Sequence, residues 1–205
     1  MYILDLLKKC SAIDKENVLE WIFGDLDIED KIDSLKKEVE DNKNINKCFG
    51  LGLLYFYGIG LDKDYKESLE CFNKVYSSLI KDSTIQYLIG LLYLEGGYGI
   101  EQDIPKAITF FSESSDNGNV EALYKLGCIY KNGIGVNKNY EEATKYFEKA
   151  TEKGHLKSQY ELGLLYYFGL GVPLNKEKAK LLFYDSNEQG DISSKIILKC
   201  LFNNK

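Results

Sequence analysis

Apolar residues between positions 45 and 191 recur in short stripes at helical spacing, and each stripe is broken by a turn carrying glycine. Ala122, Leu123, Leu126 and Tyr130 form one such stripe, Gly133-Ile134-Gly135 interrupts it, and Ala143, Tyr146, Phe147 and Ala150 begin another. Residues three and four apart share one helix face, and glycine readily takes the positive φ that stops a helix. The pattern therefore predicts helix, tight turn, helix, with helices of about 12 residues.

The same grammar is written four times. Leu51-Gly52, Ile89-Gly90, Leu126-Gly127 and Leu162-Gly163 are spaced by 38, 37 and 36 residues. Three residues after each glycine stands Tyr55, Tyr93, Tyr130 or Tyr166, then a glycine pair: Gly58/Gly60, Gly97/Gly99, Gly133/Gly135 or Gly169/Gly171. A small residue follows (Ser68, Ala107, Ala143, Ala179), and four residues later a phenylalanine (Phe72, Phe111, Phe147, Phe183). Self-similarity at a fixed period of this length marks a stack of supersecondary units.

Local chemistry fits the same phase. Asp64, Asp103, Asn139 and Asn175 sit four residues after the second glycine, and their side-chain oxygens suit the free amides at the start of the second helix. Pro105 is tolerable only in a first helical turn. The first glycine of each unit lies inside a helix, where lacking a side chain lets a neighbour approach closely. Gly118, Gly154 and Gly190 close the second helices. Insertions, as in Gly96-Gly97-Tyr98-Gly99, fall in loops, where they are tolerated.

These columns resemble the Sel-one-like repeat family, relatives of tetratricopeptide repeats. In the third unit Ala122, Leu126, Gly127, Tyr130, Gly133, Gly135, Val136, Ala143, Phe147, Ala150 and Gly154 carry nearly the whole pattern. The first unit departs from it, with Lys47 and Ser68 at alanine columns and Leu79 near the expected closing glycine. The resemblance implies an all-α, right-handed α/α solenoid of four helix-turn-helix repeats with helical N- and C-terminal caps. It divides the chain into an acidic helical N-terminal cap over 1–44, repeats over 45–82, 83–119, 120–155 and 156–191, and a C-terminal capping helix over 192–205. Ile28, Ile32, Leu35 and Val39 outline one helix of the first cap, and Val18, Leu19, Trp21 and Ile22 another ending near Gly24. These helices either cap the stack or form a small docking module, with Trp21 as core or as interface anchor. In the C-terminal helix Ser194, Leu198 and Lys199 repeat the first-helix pattern, and Lys199 replaces the close-contact glycine.

Composition narrows the function. All 26 basic residues are lysine, so the planar fork of arginine that reads phosphate or guanine is missing and specific nucleic-acid binding is not expected. Residues 1–45 hold 12 acids and 7 lysines, a net charge of −5, out of −6 for the whole chain. No apolar run spans a bilayer, and Lys8 and Lys9 follow the opening apolar residues too closely for a secretory signal. A cytoplasmic protein that engages no membrane is expected, with export as an effector left open.

No reaction centre emerges. The glycine turns lack the strand and the following G-x-x-G or G-K-[ST] of phosphate cradles. Asp25-Leu26-Asp27-Ile28-Glu29 begins like a calcium loop, but Asp30 and Lys36 stand where Gly and Glu are needed. Ser34/Lys37 and Ser78/Lys81 match Ser-x-x-Lys without the S-D-N and K-T-G partners. Cys10, Cys48, Cys71, Cys128 and Cys200 contain no C-x-x-C pair and are expected as free thiols. His155, the only histidine, follows a turn glycine and is expected to be exposed. We therefore expect no catalytic residues, no metal and no cofactor.

The candidate binding surface is a set of columns on the first helices: Phe49, Tyr87, Tyr124 and Tyr160; then Leu53, Leu91, Cys128 and Leu164; then Phe56, Leu94, Lys131 and Tyr167. By the resemblance these phases line a concave groove, and aromatic anchors in an apolar trough suit a peptide or helix. The alternative is that the rings pack on one another inside the molecule. Two partner classes fit a groove: a scaffold or adaptor for another protein, or an immunity protein or inhibitor that occludes a basic toxin.

Overall fold

The computed structural model describes residues 29–40, 45–78 and 82–202. The expected helix bearing Val18 to Gly24, the acidic run from Asp25 to Ile28, Cys10 and Leu79 lie outside them. The chain forms two compact units, Met1–Asn117 and Gly118–Lys205. In the first, the described helices are α1 (Glu29–Glu40), α2 (Ile45–Tyr57), α3 (Tyr65–Ser78), α4 (Ser83–Glu95) and α5 (Ile104–Asp116). In the second they are α6 (Val120–Asn132), α7 (Tyr140–Glu152), α8 (Leu156–Phe168), α9 (Lys176–Glu188) and α10 (Ile192–Phe202). Among the described residues there is no strand beyond an isolated bridge from Gly97 to Ile100. The fold is an all-α helical-repeat solenoid, in which the two helices of each repeat pack on one another.

Each pair is locked by the glycine and phenylalanine columns. Phe72, Phe111, Phe147 and Phe183 are fully buried, and each ring lies over the helical glycine of its partner helix. A Cβ at Gly52 or Gly90 would come within 2.7 Å of that ring, and one at Gly127 within 2.5 Å. The small-residue column stands beside it: Ser68, Ala107, Ala143 and Ala179 are fully enclosed. Ser68, where alanine was expected, donates its hydroxyl to the Gly52 carbonyl at 2.8 Å, so a polar atom is satisfied inside an apolar contact.

The turns are fastened at both ends. The backbone N–H of Asp64, Asp103, Asn139 and Asn175 donates to the carbonyl of Tyr55, Tyr93, Tyr130 and Tyr166 respectively, at 2.9–3.1 Å. Their side chains accept from the second-helix amides, as in Asn139 Oδ1 with Glu142 N at 3.1 Å. Replacing Asn139 by Ala is expected to cost about 1 kcal/mol, read as a lower urea midpoint with unchanged m-value; no change would mean the turn is held by the backbone alone.

Within the first unit, α1 buries Ile32, Leu35 and Val39 in the core shared with α2. The longer second turn has a visible role there. Tyr98 has φ 48°, the one non-glycine residue with positive φ among those described. Its carbonyl accepts from Tyr65 N at 2.8 Å, capping the start of α3. Within the second unit the corresponding approach is made by Gly171, whose backbone lies against Tyr140 and Glu141 at the start of α7.

Candidate functional site

The expected groove columns have different fates in the two units. In the first, Phe49 and Leu53 are fully buried and Phe56 is 6% exposed. These three are core residues rather than binding surface, because the described packing of α2 with α1 and α3 encloses them. Tyr87, Leu91 and Leu94 on α4 are half-buried. In the second unit Tyr124, Cys128 and Lys131 on α6, and Tyr160, Leu164 and Tyr167 on α8, are all half-buried. Their apolar members, Tyr124, Cys128, Tyr160, Leu164 and Tyr167, pack on one core.

Packing and exposure coexist in the aromatic column. Phe49, Tyr87, Tyr124 and Tyr160 each place a ring 5.7–6.0 Å from the phenylalanine of their own second helix. Intramolecular packing accounts for Phe49 entirely and for one side of each tyrosine. Tyr167 is held edge-on between Phe168 and Phe202.

One ion pair crosses the second-unit face. Lys131 Nζ on α6 donates to Glu161 Oε2 on α8 at 2.7 Å, with side chains 23% and 14% exposed. Glu161 is the sole acid on α8. The pair sets a polar point among apolar neighbours, and its half-desolvated charges gain more from each other than a solvated pair would. Burial is the first cause that pushes the phenols of Tyr124 and Tyr160 up, so both stay neutral hydrogen-bond donors across the ordinary pH range.

His155 departs from expectation. Its side chain is 11% exposed, because it serves as the N-cap of α8: Nδ1 accepts from Ser158 N at 3.2 Å. That fixes the proton on Nε2, which faces Glu121 Oε1 at 3.2 Å, and the ring packs 4.9 Å from Tyr124. Ser158 Oγ lies 2.8 Å from Nδ1, so glutamate, histidine and serine form a line resembling a nucleophilic triad. Ser158 is fully buried, however, and a nucleophile must reach a substrate. The line acts as a cap that positions Tyr124 from behind.

The hydrogen bond from His155 holds the Glu121 carboxyl below its ordinary range, against burial that pushes it up. This contribution to stability is present above about pH 4.3, the value of free glutamate, and is lost as pH falls through the lowered folded value. Glu121→Gln is expected to lower the urea midpoint at neutral pH and to match the parent in acid. A deficit of equal size at both pH values would contradict this.

Cys48 and Cys71 are buried, Cys128 is half-buried and Cys200 exposed, all as free thiols. Among the described residues no cluster of histidine, cysteine or carboxylate side chains could hold a metal ion, and no helix is long and apolar enough to cross a membrane.

The family model described as Sel1 repeat matches residues 48–76, 86–119, 120–155 and 156–191. Solved structures share the fold. A Sel1 repeat protein from Oxalobacter formigenes is 24% identical with a TM-score of 0.69, over 83% of this chain and 66% of that one. The protective antigen c5321 of uropathogenic Escherichia coli is 23% identical with a TM-score of 0.57, over 96% of this chain and 52% of that one. The chain thus spans about half to two thirds of these two structures. The immunity protein Pa5087 from Pseudomonas aeruginosa is 22% identical with a TM-score of 0.53, over 100% of this chain and 73% of that one. No curated protein shows significant sequence similarity to the chain.

Proposed function

Because the chain belongs to the Sel1 repeat family, whose members are generally protein-interaction modules, we propose that it is a non-catalytic adaptor that holds a segment of another protein. The observation that carries this reading is the α6/α8 face. Tyr124, Tyr160, Leu164 and Tyr167 leave apolar surface half open around the Lys131–Glu161 pair, whereas the equivalent positions of α2 are closed. Aromatic side chains anchor interfaces at low entropic cost, and the ion pair offers both signs of charge for orienting an incoming backbone or side chain. Tyr87, Leu91 and Leu94 of α4 form the corresponding face of the first unit.

A second reading is that of an inhibitor. Two structures of the same fold are described as immunity proteins, and a net charge of −6 suits steering toward a basic toxin or enzyme.

The test is capture of partners by the native protein, compared with Tyr160→Ala and Leu164→Glu, each checked for parental helicity. Loss of a partner captured by the parent supports the reading. Unchanged capture by both folded variants would assign binding to another surface. A basic nuclease or toxin as the lost partner would select the inhibitor.

A further inference from the structure

Cys48 on α2 and Cys71 on α3 meet inside the first repeat. Gly52, one turn beyond Cys48, lets the two helices approach so closely that a Cβ there would lie 3.1 Å from the Cβ of Cys71. The Cys48 thiol donates to the carbonyl of Cys71, with Sγ and O 3.7 Å apart, and the two thiols are also side-chain hydrogen-bond partners of each other. The repeat pattern does not require sulfur at either place. The same two columns hold Gln86 and Phe110, Leu123 and Tyr146, and Gln159 and Leu182 in the other repeats. A single buried cysteine serves as a small apolar filler, but two in contact across a helix pair bring together the atoms of a disulfide.

The two sulfurs are unequal. The hydrogen bond with Cys71 lowers the Cys48 thiol to about 7, opposed by burial and aided by the positive charge of Lys74. The same hydrogen bond and burial push the Cys71 thiol up, so it keeps its proton. Cys48 is therefore the nucleophile of the pair, and Cys71 the thiol that resolves it. Cys48 is 6% exposed and Cys71 4%, which favours an oxidant little larger than water over the bulky disulfides of thiol exchange.

We propose that Cys48 and Cys71 form a modification site, at which a hydroperoxide converts the facing thiols into a disulfide that staples α2 to α3. The Cys48 thiolate attacks one peroxide oxygen, the O–O bond breaks, and hydroxide departs to leave a sulfenic acid on Cys48. Cys71 then gives up its proton and its sulfur attacks that of Cys48. The S–O bond breaks as the S–S bond forms, and the oxygen leaves as water. Two thiols are oxidised, and one hydrogen peroxide is reduced to two waters.

Peptide mapping of the folded full chain after treatment with hydrogen peroxide tests this. With the remaining thiols alkylated, trypsin should release residues 48–63 joined to residues 67–74, about 2 Da lighter than the two peptides together. The linked species should come from chains not cross-linked to one another, and dithiothreitol should separate it. Cys71→Ala, with the circular dichroism of the parent, should lose it and leave a sulfenic acid on Cys48 that dimedone traps. Cys48→Ala should slow oxidation of Cys71 by about tenfold or more. Both thiols surviving in the folded parent, linked peptides that appear only once urea unfolds the chain, or Cys71 oxidising as fast without Cys48 would each overturn the proposal.

Discussion

Gly171→Ala is expected to remove about 3 kcal/mol or more from the stability of the second unit, read as a lower urea midpoint. Two costs coincide there. Gly171 has φ 67°, a conformation that costs an L side chain about 1–2 kcal/mol. Its added Cβ would also lie 2.4 Å from the carbonyl carbon of Tyr140 and 2.6 Å from Glu141 N. Both are backbone atoms, and the start of α7 cannot drift away from them. The Asn139 N–H is tied to Tyr130 O at 2.9 Å, and its side chain to Glu142 N. Gly154→Ala is the control. Its φ of 80° imposes comparable strain, but nothing lies within 4 Å of the added carbon, so only about 1–2 kcal/mol should be lost. Equal losses at both sites would show that the approach of the 169–171 turn to α7 is not a structural constraint.

A double-mutant cycle on the helix-pair lock should show the second large effect. Gly127→Ala adds a methyl group 2.5 Å from the Phe147 ring, and that ring is fully enclosed. Alanine gains about 1 kcal/mol over glycine in a helix interior, whereas overpacking a close core costs about 1–3 kcal/mol and occasionally more. An overlap of this depth with an enclosed ring puts the clash ahead, so a net loss is expected. Phe147→Leu alone should be destabilising through lost volume. Together the two should cost less than their sum by about 1 kcal/mol or more, because the smaller side chain yields the space the methyl group needs. Strict additivity would mean that glycine and phenylalanine are not in energetic contact.

How much of this was legible follows from how each residue acts. The repeat columns were readable because their residues act locally and identically four times. Asp64, Asp103, Asn139 and Asn175 cap helices wherever such residues follow such turns, and the helical glycines, read as points of close approach, sit under the phenylalanines of their own repeats. The first-helix caps Asp82, Asn119 and Asp191 recur at nearly the same period but without a fixed residue type. His155 fills that place in the last repeat, which is why it reads as an exposed turn residue until its Nδ1 is seen accepting from Ser158.

The binding face was less legible, because exposure depends on what lies beside a helix rather than on its own phase. Phe49 and Tyr124 hold the same column, yet one is enclosed and the other half open. Nor could spacing pair Lys131 with Glu161, 30 residues apart. The signal available was a lone acid among the apolar residues of α8.

Site-specific photocrosslinking in living cells tests the proposed binding function most directly, with a photoreactive residue replacing Leu164 on the α6/α8 face or Lys145 on the exposed side of α7. The account predicts a discrete protein adduct from position 164 that position 145 does not give, and its disappearance when Tyr160→Ala is added. No adduct at 164, or the same adducts from both positions, would contradict it.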